Sequence, residues 1–124
     1  MYIKSYKELI VWQKSIELVE EIFLLTNSFP KSEIYGLTSQ MRRAAISIPS
    51  NIAEGYGRKS TKSYIQFYSI TYGSALELET QMIITKRLKL VSENRLQIAE
   101  GLLVEVSKML NSMLTKFKKL NAEG

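Results

Sequence analysis

Apolar residues recur every three or four positions through almost the whole chain, and this spacing restricts the fold more than any other feature. The C-terminal quarter shows it without interruption, at Leu96, Ala99, Leu103, Val106, Leu110, Met113, Phe117 and Leu120. At about 100° per residue, such positions lie on one side of an α-helix. No segment alternates apolar and polar residues as a half-buried strand does. The spacing therefore predicts an all-α protein.

Turn-forming residues divide this pattern into four helices. Asn27 and Pro30 end the first helix, Gly55 and Gly57 the second, and Ser92 caps the start of the fourth. The predicted helices span about 5–26, 36–57, 61–89 and 93–119. Four helices with short connections favour an antiparallel up-down-up-down bundle. The length of 124 residues and the hydrophobic content of 45% fit one domain over residues 1–124.

The second predicted helix contains a proline well inside its apolar pattern. Pro49 has no N–H to donate to the carbonyl of Ala45, and its ring crowds that turn, so we predict a kink. We expect the hydroxyls of Ser47 and Ser50 to bond to the freed carbonyl.

The first three helices carry more apolar residues than one buried face needs. The first helix has two stripes, one at Leu9, Trp12, Ile16, Val19 and Phe23 and one at Val11, Leu18, Ile22 and Leu25. A soluble monomer rarely exposes a large contiguous apolar patch. We therefore predict self-association, with the interface at Val11, Leu18, Ile22, Leu25, Ile46, Ile70 and Ile84. The alternative is a wide core that absorbs these side chains.

The composition excludes several classes of chemistry. The sequence contains no cysteine, histidine or aspartate, which removes thiolate nucleophiles, the usual general base and histidine-containing metal sites. No loop clusters carboxylates for a hard cation. We predict a protein without catalytic residues, metal, cofactor or small-molecule substrate. The longest apolar runs are too short to span a membrane and the N-terminus does not resemble a signal peptide, so a cytoplasmic protein is expected.

Basic residues suggest an anionic partner. Seventeen Lys and Arg stand against twelve acidic residues, a formal net charge of +5. A nucleic-acid surface is predicted at Arg42, Arg43, Tyr56, Arg58, Lys59 and Lys62. Arginine binds phosphate bidentately and tyrosine stacks on unpaired bases. The alternative is solvated charge at helix ends and a tyrosine with a packed ring.

Three passages together resemble a known family. They are YKELIVWQKSIELVEEI at 6–22, YGLTSQMRRAAISIPSNIAEGYGR at 35–58 and SYIQFYSITYGSALELETQ at 63–81. They resemble the bacterial proteins encoded in intervening sequences of 23S ribosomal RNA genes, often labelled S23 ribosomal proteins. The resemblance implies an antiparallel four-helix bundle in a ring-shaped homopentamer, without enzymatic activity. It also implies kinship with the basic, nucleic-acid-binding accessory variability proteins of diversity-generating retroelements, with Arg42, Arg43 and Arg58 as the matching basic positions.

Two functions from different classes remain. The first is a non-catalytic oligomer that binds structured RNA or DNA through a basic surface. The second is an oligomeric protein-interaction scaffold that binds no nucleic acid.

Overall fold

The structure, a computed structural model, describes residues 4–123 and consists mainly of four α-helices. These are α1 (Ile10–Asn27), α2 (Ser39–Arg58), α3 (Thr61–Arg87) and α4 (Glu93–Glu123). Short 3-10 helical turns lie at Tyr6–Glu8 and Lys31–Glu33, and a π-helical turn at Ile34–Thr38 leads into α2. Residues 4–123 contain no strand. The prediction of an all-α protein with four helices is confirmed.

Each helix packs against two others around a common core. α1 contacts α2 and α4, and α3 contacts the same two helices. All four helices supply fully buried side chains, among them Leu18, Ile22, Met41, Ile48, Ile52, Leu78, Met82, Leu96 and Leu110. Each large aliphatic side chain buried in this way contributes about 1.5–3 kcal/mol. No helix between residues 4 and 123 is apolar over a length sufficient to cross a membrane.

The predicted outer stripe of α1 is its core stripe. Val11, Leu18, Ile22 and Leu25 are buried among the other helices of the same chain, so their assignment to an interface between copies is wrong. They share this face with Ser15, which is also fully buried. The polar serine lowered the apparent hydrophobicity of the stripe that the fold buries.

The other stripe of α1 lies at the flank of the bundle and is half-buried. Trp12 packs edge-on against Tyr6, with ring centroids 5.3 Å apart. At the other end of the helix, Phe23 lies beneath the guanidinium of Arg42. Side chains before and after α1 thus cover the two aromatic residues, which the spacing within α1 does not reveal.

Three residues of the predicted interface are at the surface. Ile46 is 44% exposed, Ile70 46% and Ile84 41%. They remain available for contact with another molecule, and their role in self-association stays a prediction.

Helix α2 contains Pro49, where the sequence predicts a kink, and ends at Arg58, one residue beyond its predicted end. Ser50 Oγ donates to the carbonyl of Ile46 at 2.8 Å rather than to that of Ala45, which Pro49 leaves without its helical donor. The helix also continues through the Gly55–Gly57 segment to Arg58. A Cβ on Gly55 would lie 2.8 Å from Phe67 Cβ, so Gly55 is required for the close approach of α2 and α3 and does not end the helix.

Contacts gather the helix termini at two ends of the molecule. At the first end, the start of α2 meets the end of α1 through Arg42 and Asn27, and the end of α3 through Met41 and Thr85. The loop 88–92 joins the start of α4 to this end. At the second end lie the 3-10 turn before α1, the last turn of α2, the start of α3 and the last turns of α4. Ring contacts connect these elements, Tyr6 with Tyr56 and Tyr64 with Phe117.

Candidate nucleic-acid interface

The predicted nucleic-acid residues divide between the two ends. Arg42 and Arg43 lie in the first turn of α2, whereas Arg58 ends that helix and Lys59 and Lys62 follow it. Sixteen residues of α-helix separate Arg42 from Arg58, a distance of about 24 Å along the axis. The structure therefore does not bring the predicted set together as one surface.

Arg42 connects α2 to the end of α1. Its Nε donates to Thr26 Oγ1 at 2.9 Å and its Nη2 donates to Asn27 Oδ1 at 3.0 Å. The guanidinium carbon lies 4.5 Å from the ring centroid of Phe23, a cation–π distance. The side chain is half-buried and fixed in position, so Arg42 is not the solvated surface arginine that a nucleic-acid surface would need. Arg43 next to it is exposed as predicted.

The basic residues around the α2–α3 turn of the second end are exposed, and the Arg58 guanidinium carbon lies 5.4 Å from the ring centroid of Phe67. Arg58 pairs with Glu54, one helical turn before it, at 3.4 Å, and both side chains are more than half exposed. Such pairs contribute at most about 1 kcal/mol, so solvent or phosphate competes readily for Arg58. Lys59 ends α2 in the left-handed region, with φ 57° and ψ 30°. Lys59 and Lys62 are both exposed.

Tyr56 belongs to an aromatic cluster at the second end. Its ring is half-buried and meets Tyr6 edge-on, with centroids 6.5 Å apart. The structure favours the alternative of a packed ring over the predicted platform for base stacking. On the other side of this end, Tyr68 lies 5.4 Å from Phe117. Burial of Tyr68, together with the nearby Tyr64, raises the pKa of its phenol to about 12.

Charge is distributed unevenly along the molecule. The first end carries the cations Lys31, Arg42, Arg43, Lys86, Arg87, Lys89 and Arg95 and the carboxylates Glu33 and Glu93. The second end carries the cations Lys4, Lys7, Arg58, Lys59, Lys62, Lys116, Lys118 and Lys119 and the carboxylates Glu8, Glu54 and Glu123. Each end therefore has a net charge of +5.

Between the ends lies an acidic waist, formed by the middle stretches of α1, α3 and α4. It consists of Glu17, Glu20, Glu21, Glu77, Glu79, Glu100 and Glu105 with two cations, Lys14 and Lys108, a net charge of −5. Lys14 is within 4 Å of two of these carboxylates, Glu17 at 3.7 Å and Glu105 at 3.6 Å. The ends and the waist together account for the formal charge of +5 of the whole chain.

Sequence reasoning missed several residues of the first end. The cations near the C-terminus of α3 are Lys86, Arg87 and Lys89, and cations at that position in any helix offset the helix dipole. The fold brings them to the end that also holds Arg43. Tyr35, in the π-helical turn, is 97% exposed. The spacing of apolar residues along the sequence does not reveal that this aromatic side chain is exposed near basic residues.

A cleft in the described part of the chain also lies at the first end. It has a volume of about 500 Å³, and its lining residues are Thr26, Asn27, Phe29, Lys31, Ile34, Thr38, Ser39 and Arg42. Two lining residues are cationic and none is acidic. Within residues 4–123 there is no group of three or more potential metal ligands.

These features define a class, a four-helix all-α protein with basic ends. Residues 7–112 match the family of 23S rRNA-intervening sequence proteins, and the chain belongs to that family. The fold agrees with a crystal structure of a protein of unknown function from the S23 ribosomal protein family of Bacteroides thetaiotaomicron VPI-5482. The two chains are 22% identical, with a TM-score of 0.78 over 86% of this chain and 96% of the other. No curated protein sequence matches this chain.

Proposed function

We propose that this protein is a non-catalytic, oligomeric nucleic-acid-binding protein whose two basic ends bind the phosphate backbone of structured RNA or DNA. The observation that carries the proposal is the separation of charge into two ends of +5 and a waist of −5. Phosphate contacts supply most of the non-specific affinity of nucleic-acid-binding proteins, and a cation in a net-positive region binds phosphate more readily than one beside carboxylates.

The ends act as separate binding regions. Along the helix axes, about 24 Å separate Arg42 from Arg58 in α2, and about 36 Å separate Lys62 from Lys86 in α3. At physiological salt the Debye length is about 8 Å, and a phosphate at one end is screened from the charge of the other. The waist repels phosphate locally, so nucleic acid approaches the ends and not the sides of the helices.

The proposal includes an antiparallel arrangement of the helices and assembly into a homo-oligomer. Contacts of the end of α1 with the start of α2, and of the end of α2 with the turn before α1, support the antiparallel arrangement. An apolar groove of about 310 Å³ supports assembly, and its lining residues include Trp12, Ile16, Val19, Ile46, Pro49 and Ala53. The number five follows only from the family resemblance. Repetition of the basic ends around such an oligomer raises affinity, because linked binding sites reinforce each other.

Salt dependence tests nucleic-acid binding. We would measure the affinity for an RNA hairpin between about 50 and 200 mM salt. Three double variants each remove two positive charges: Arg43→Ala/Lys86→Ala at the first end, Lys62→Ala/Lys118→Ala at the second, and Lys14→Ala/Lys108→Ala at the waist as the matched control. The affinity falls as salt rises, and the slope of log K against log salt is negative. Removal of one cation that neutralises a phosphate makes this slope shallower by about 0.9. We expect shallower slopes for the end variants and an unchanged slope for the waist variant.

Two results would contradict this function. One is the absence of binding at about 50 mM salt, where electrostatic affinity is high. The other is an equal loss of affinity in the waist variant and the end variants, because the positions of the charges would then not matter.

The exposed apolar groove also supports the second candidate, an oligomeric protein-interaction scaffold. Ile46 lines the groove and is 44% exposed. We expect Ile46→Glu to lower the molar mass measured by light scattering at micromolar concentration. Leu120→Glu, at a side chain 49% exposed near the end of α4, serves as the control and should leave the mass unchanged. A monomeric wild-type protein would exclude self-association for either function.

A further inference from the structure

We propose that the cleft at the first end is a specific binding site for a phosphate monoester carried on an organic body, such as a nucleoside monophosphate or the phosphorylated terminus of a nucleic-acid strand. This site goes beyond the electrostatic backbone binding proposed above and does not depend on it. Four features of the cleft carry the inference: its oriented arginine, an unpaired hydroxyl, the absence of carboxylate from its lining and its apolar wall.

The arginine of the cleft is fixed before any ligand arrives. A guanidinium has five N–H donors, and Arg42 uses two of them on Thr26 and Asn27. Its stacking on Phe23 adds a third restraint on the plane of the guanidinium. The remaining N–H groups keep a defined direction beside the cleft. Little side-chain entropy is then lost when an anion binds, which favours affinity.

A buried hydroxyl in the wall of the cleft has no partner. Thr38 lines the cleft and is only 6% exposed, and its Oγ1 makes no hydrogen bond within residues 4–123. Buried polar groups are normally hydrogen-bonded, and each exception calls for an explanation. The Oγ1 atom itself is closed to solvent, and a small shift of Thr38 on ligand binding would let a ligand oxygen in the cleft accept its hydrogen bond. Ser39 adds a second hydroxyl to the same wall.

The charge of the cleft has a single sign. Lys31 and Arg42 are cationic, and none of the other lining residues is acidic. The carboxylate of Glu33, the nearest in sequence, lies beside Gly36 and not in the lining. Two cations match a phosphate monoester, which carries about −1.5 to −2 at pH 7, better than a phosphodiester with one charge.

The size and the apolar wall of the cleft indicate that the ligand has an organic body. A volume of about 500 Å³ is much larger than a phosphate group, and Phe29 and Ile34 form apolar surface in it. Clefts of about 300–1,000 Å³ that combine apolar walls with a few polar groups are typical of small-ligand sites. Tyr35 follows the lining residue Ile34 and is 97% exposed, so its ring is free to stack on a base or sugar.

The test compares ligands that differ only in the terminal phosphate. Isothermal titration calorimetry on the full chain would use a nucleoside 5′-monophosphate and its nucleoside, a short RNA strand with a 5′-phosphate and with a 5′-hydroxyl, and inorganic phosphate. Hydrogen bonds to charged groups account for differences of about tenfold or more. We expect at least tenfold preference for each phosphorylated ligand over its partner without phosphate, and weaker binding of inorganic phosphate.

The variants are chosen so that folding does not obscure the answer. Thr38→Val keeps the size of the side chain and removes a hydroxyl that has no partner in the fold. It should weaken monophosphate binding several-fold and leave the thermal midpoint unchanged or higher. Lys31→Ala should weaken binding about tenfold. Lys108→Ala removes an exposed cation of the waist that does not line the cleft, and it should leave monophosphate binding unchanged.

Three results would overturn the site. They are equal affinity for phosphorylated and hydroxyl-terminated strands, full binding by both Thr38→Val and Lys31→Ala, or a loss in Lys108→Ala as large as in Lys31→Ala. If inorganic phosphate bound as tightly as the monophosphate, the ligand would be free phosphate. The inference that the ligand has an organic part would then be wrong. None of these results would change the salt slope for the unphosphorylated hairpin, so failure of this site and failure of backbone binding are distinguishable.

Discussion

The two ends of the molecule carry the same net charge but hold their cations in different ways. At the first end Arg42 is half-buried and bonded to Thr26 and Asn27, beside a cleft. At the second end Lys59 and Lys62 project from a helix turn without comparable restraints. The equal net charge gives the two ends a similar long-range attraction for a polyanion. The ordering of the donors decides which end can distinguish one phosphate group from another.

The side-chain contacts that join the helices also differ between the two ends. The first end is joined by polar side chains, with Thr26 bonded to α2 and Thr85 donating to the sulfur of Met41 at 3.5 Å. The second end is joined by aromatic rings, such as Tyr64 on Phe117 at 5.3 Å. Polar contacts fix directions, whereas ring contacts bury area and tolerate small shifts. Four substitutions probe this difference, beginning with the largest expected effect.

Gly55→Ala, at the second end, should lower the free energy of unfolding more than the other three substitutions. The new Cβ would lie 2.8 Å from Phe67 Cβ, so α2 and α3 must move apart. Overpacking of this kind typically costs about 1–3 kcal/mol of unfolding free energy, measured by urea titration. Gly57→Ala is the control, because a Cβ there meets nothing within 4 Å. It should stabilise the helix by about 0.5–1 kcal/mol. Equal effects of the two variants would contradict the close contact at Gly55.

Tyr68→Phe should change the alkaline stability of the second end. The pKa of Tyr68 is raised from 10.0 to about 12, mainly by burial and then by Tyr64. Above pH 10 the unfolded chain releases this proton more readily than the folded chain. The contribution of Tyr68 is therefore complete below pH 10 and lost as the pH rises through 12. This loss amounts to about 2 kcal/mol.

The measurement is the unfolding free energy of wild type and Tyr68→Phe as a function of pH. Their difference should be constant below pH 10. Between pH 10 and 12 the wild type should lose stability faster than the variant, because only the wild type has this titrating phenol. A constant difference up to pH 12 would show that burial does not perturb Tyr68.

Arg42→Met, at the first end, should lower the free energy of unfolding by about 1.5 kcal/mol. Methionine keeps much of the apolar contact with Phe23 but cannot make the two hydrogen bonds to α1. Thermal or urea unfolding measures the destabilisation. The control is Arg43→Met, at an exposed neighbour with the same charge, which should stay within about 0.5 kcal/mol of wild type. If both variants behaved alike, Arg42 would be no more ordered than the lysines of the second end.

Lys59→Gly should stabilise the second end slightly. Lys59 occupies the left-handed region at φ 57°, where a side chain costs about 1 kcal/mol relative to glycine. Lys89 at the first end has φ 55° and should respond in the same way. Lys62→Gly, inside α3, provides the control and should be destabilising. Stabilities are compared by urea unfolding, and a lower stability of Lys59→Gly would contradict the strained cap.

Much of the helical architecture follows from the spacing of apolar residues, and the assignment of faces does not. In α1 two stripes were comparably apolar, and Ser15 lies in the middle of the buried one. Which stripe enters the core depends on residues outside the helix, such as Tyr6 against Trp12. Spacing within one helix carries no information about such partners.

The candidate site was predictable only in part for the same reason. Arg43, Lys59 and Lys62 are exposed cations, as the sequence suggested. The role of Arg42 depends on Thr26 and Asn27, which precede it by sixteen and fifteen residues and approach it only through the α1–α2 connection. The joining of the α3 terminus to the same end likewise depends on how the helices pack.

The acidic waist between the basic ends has a consequence for how the molecule lies against a polyanion. A rod that is positive at both tips and negative between them has little net dipole, so either tip approaches a phosphate backbone equally well. Lying lengthwise would press the waist against phosphate. We expect the molecule to stand on its tips and to hold two strands apart at roughly its own length, about 40 Å. Nucleic acid mixed with this protein should therefore become cross-linked into compact particles rather than coated.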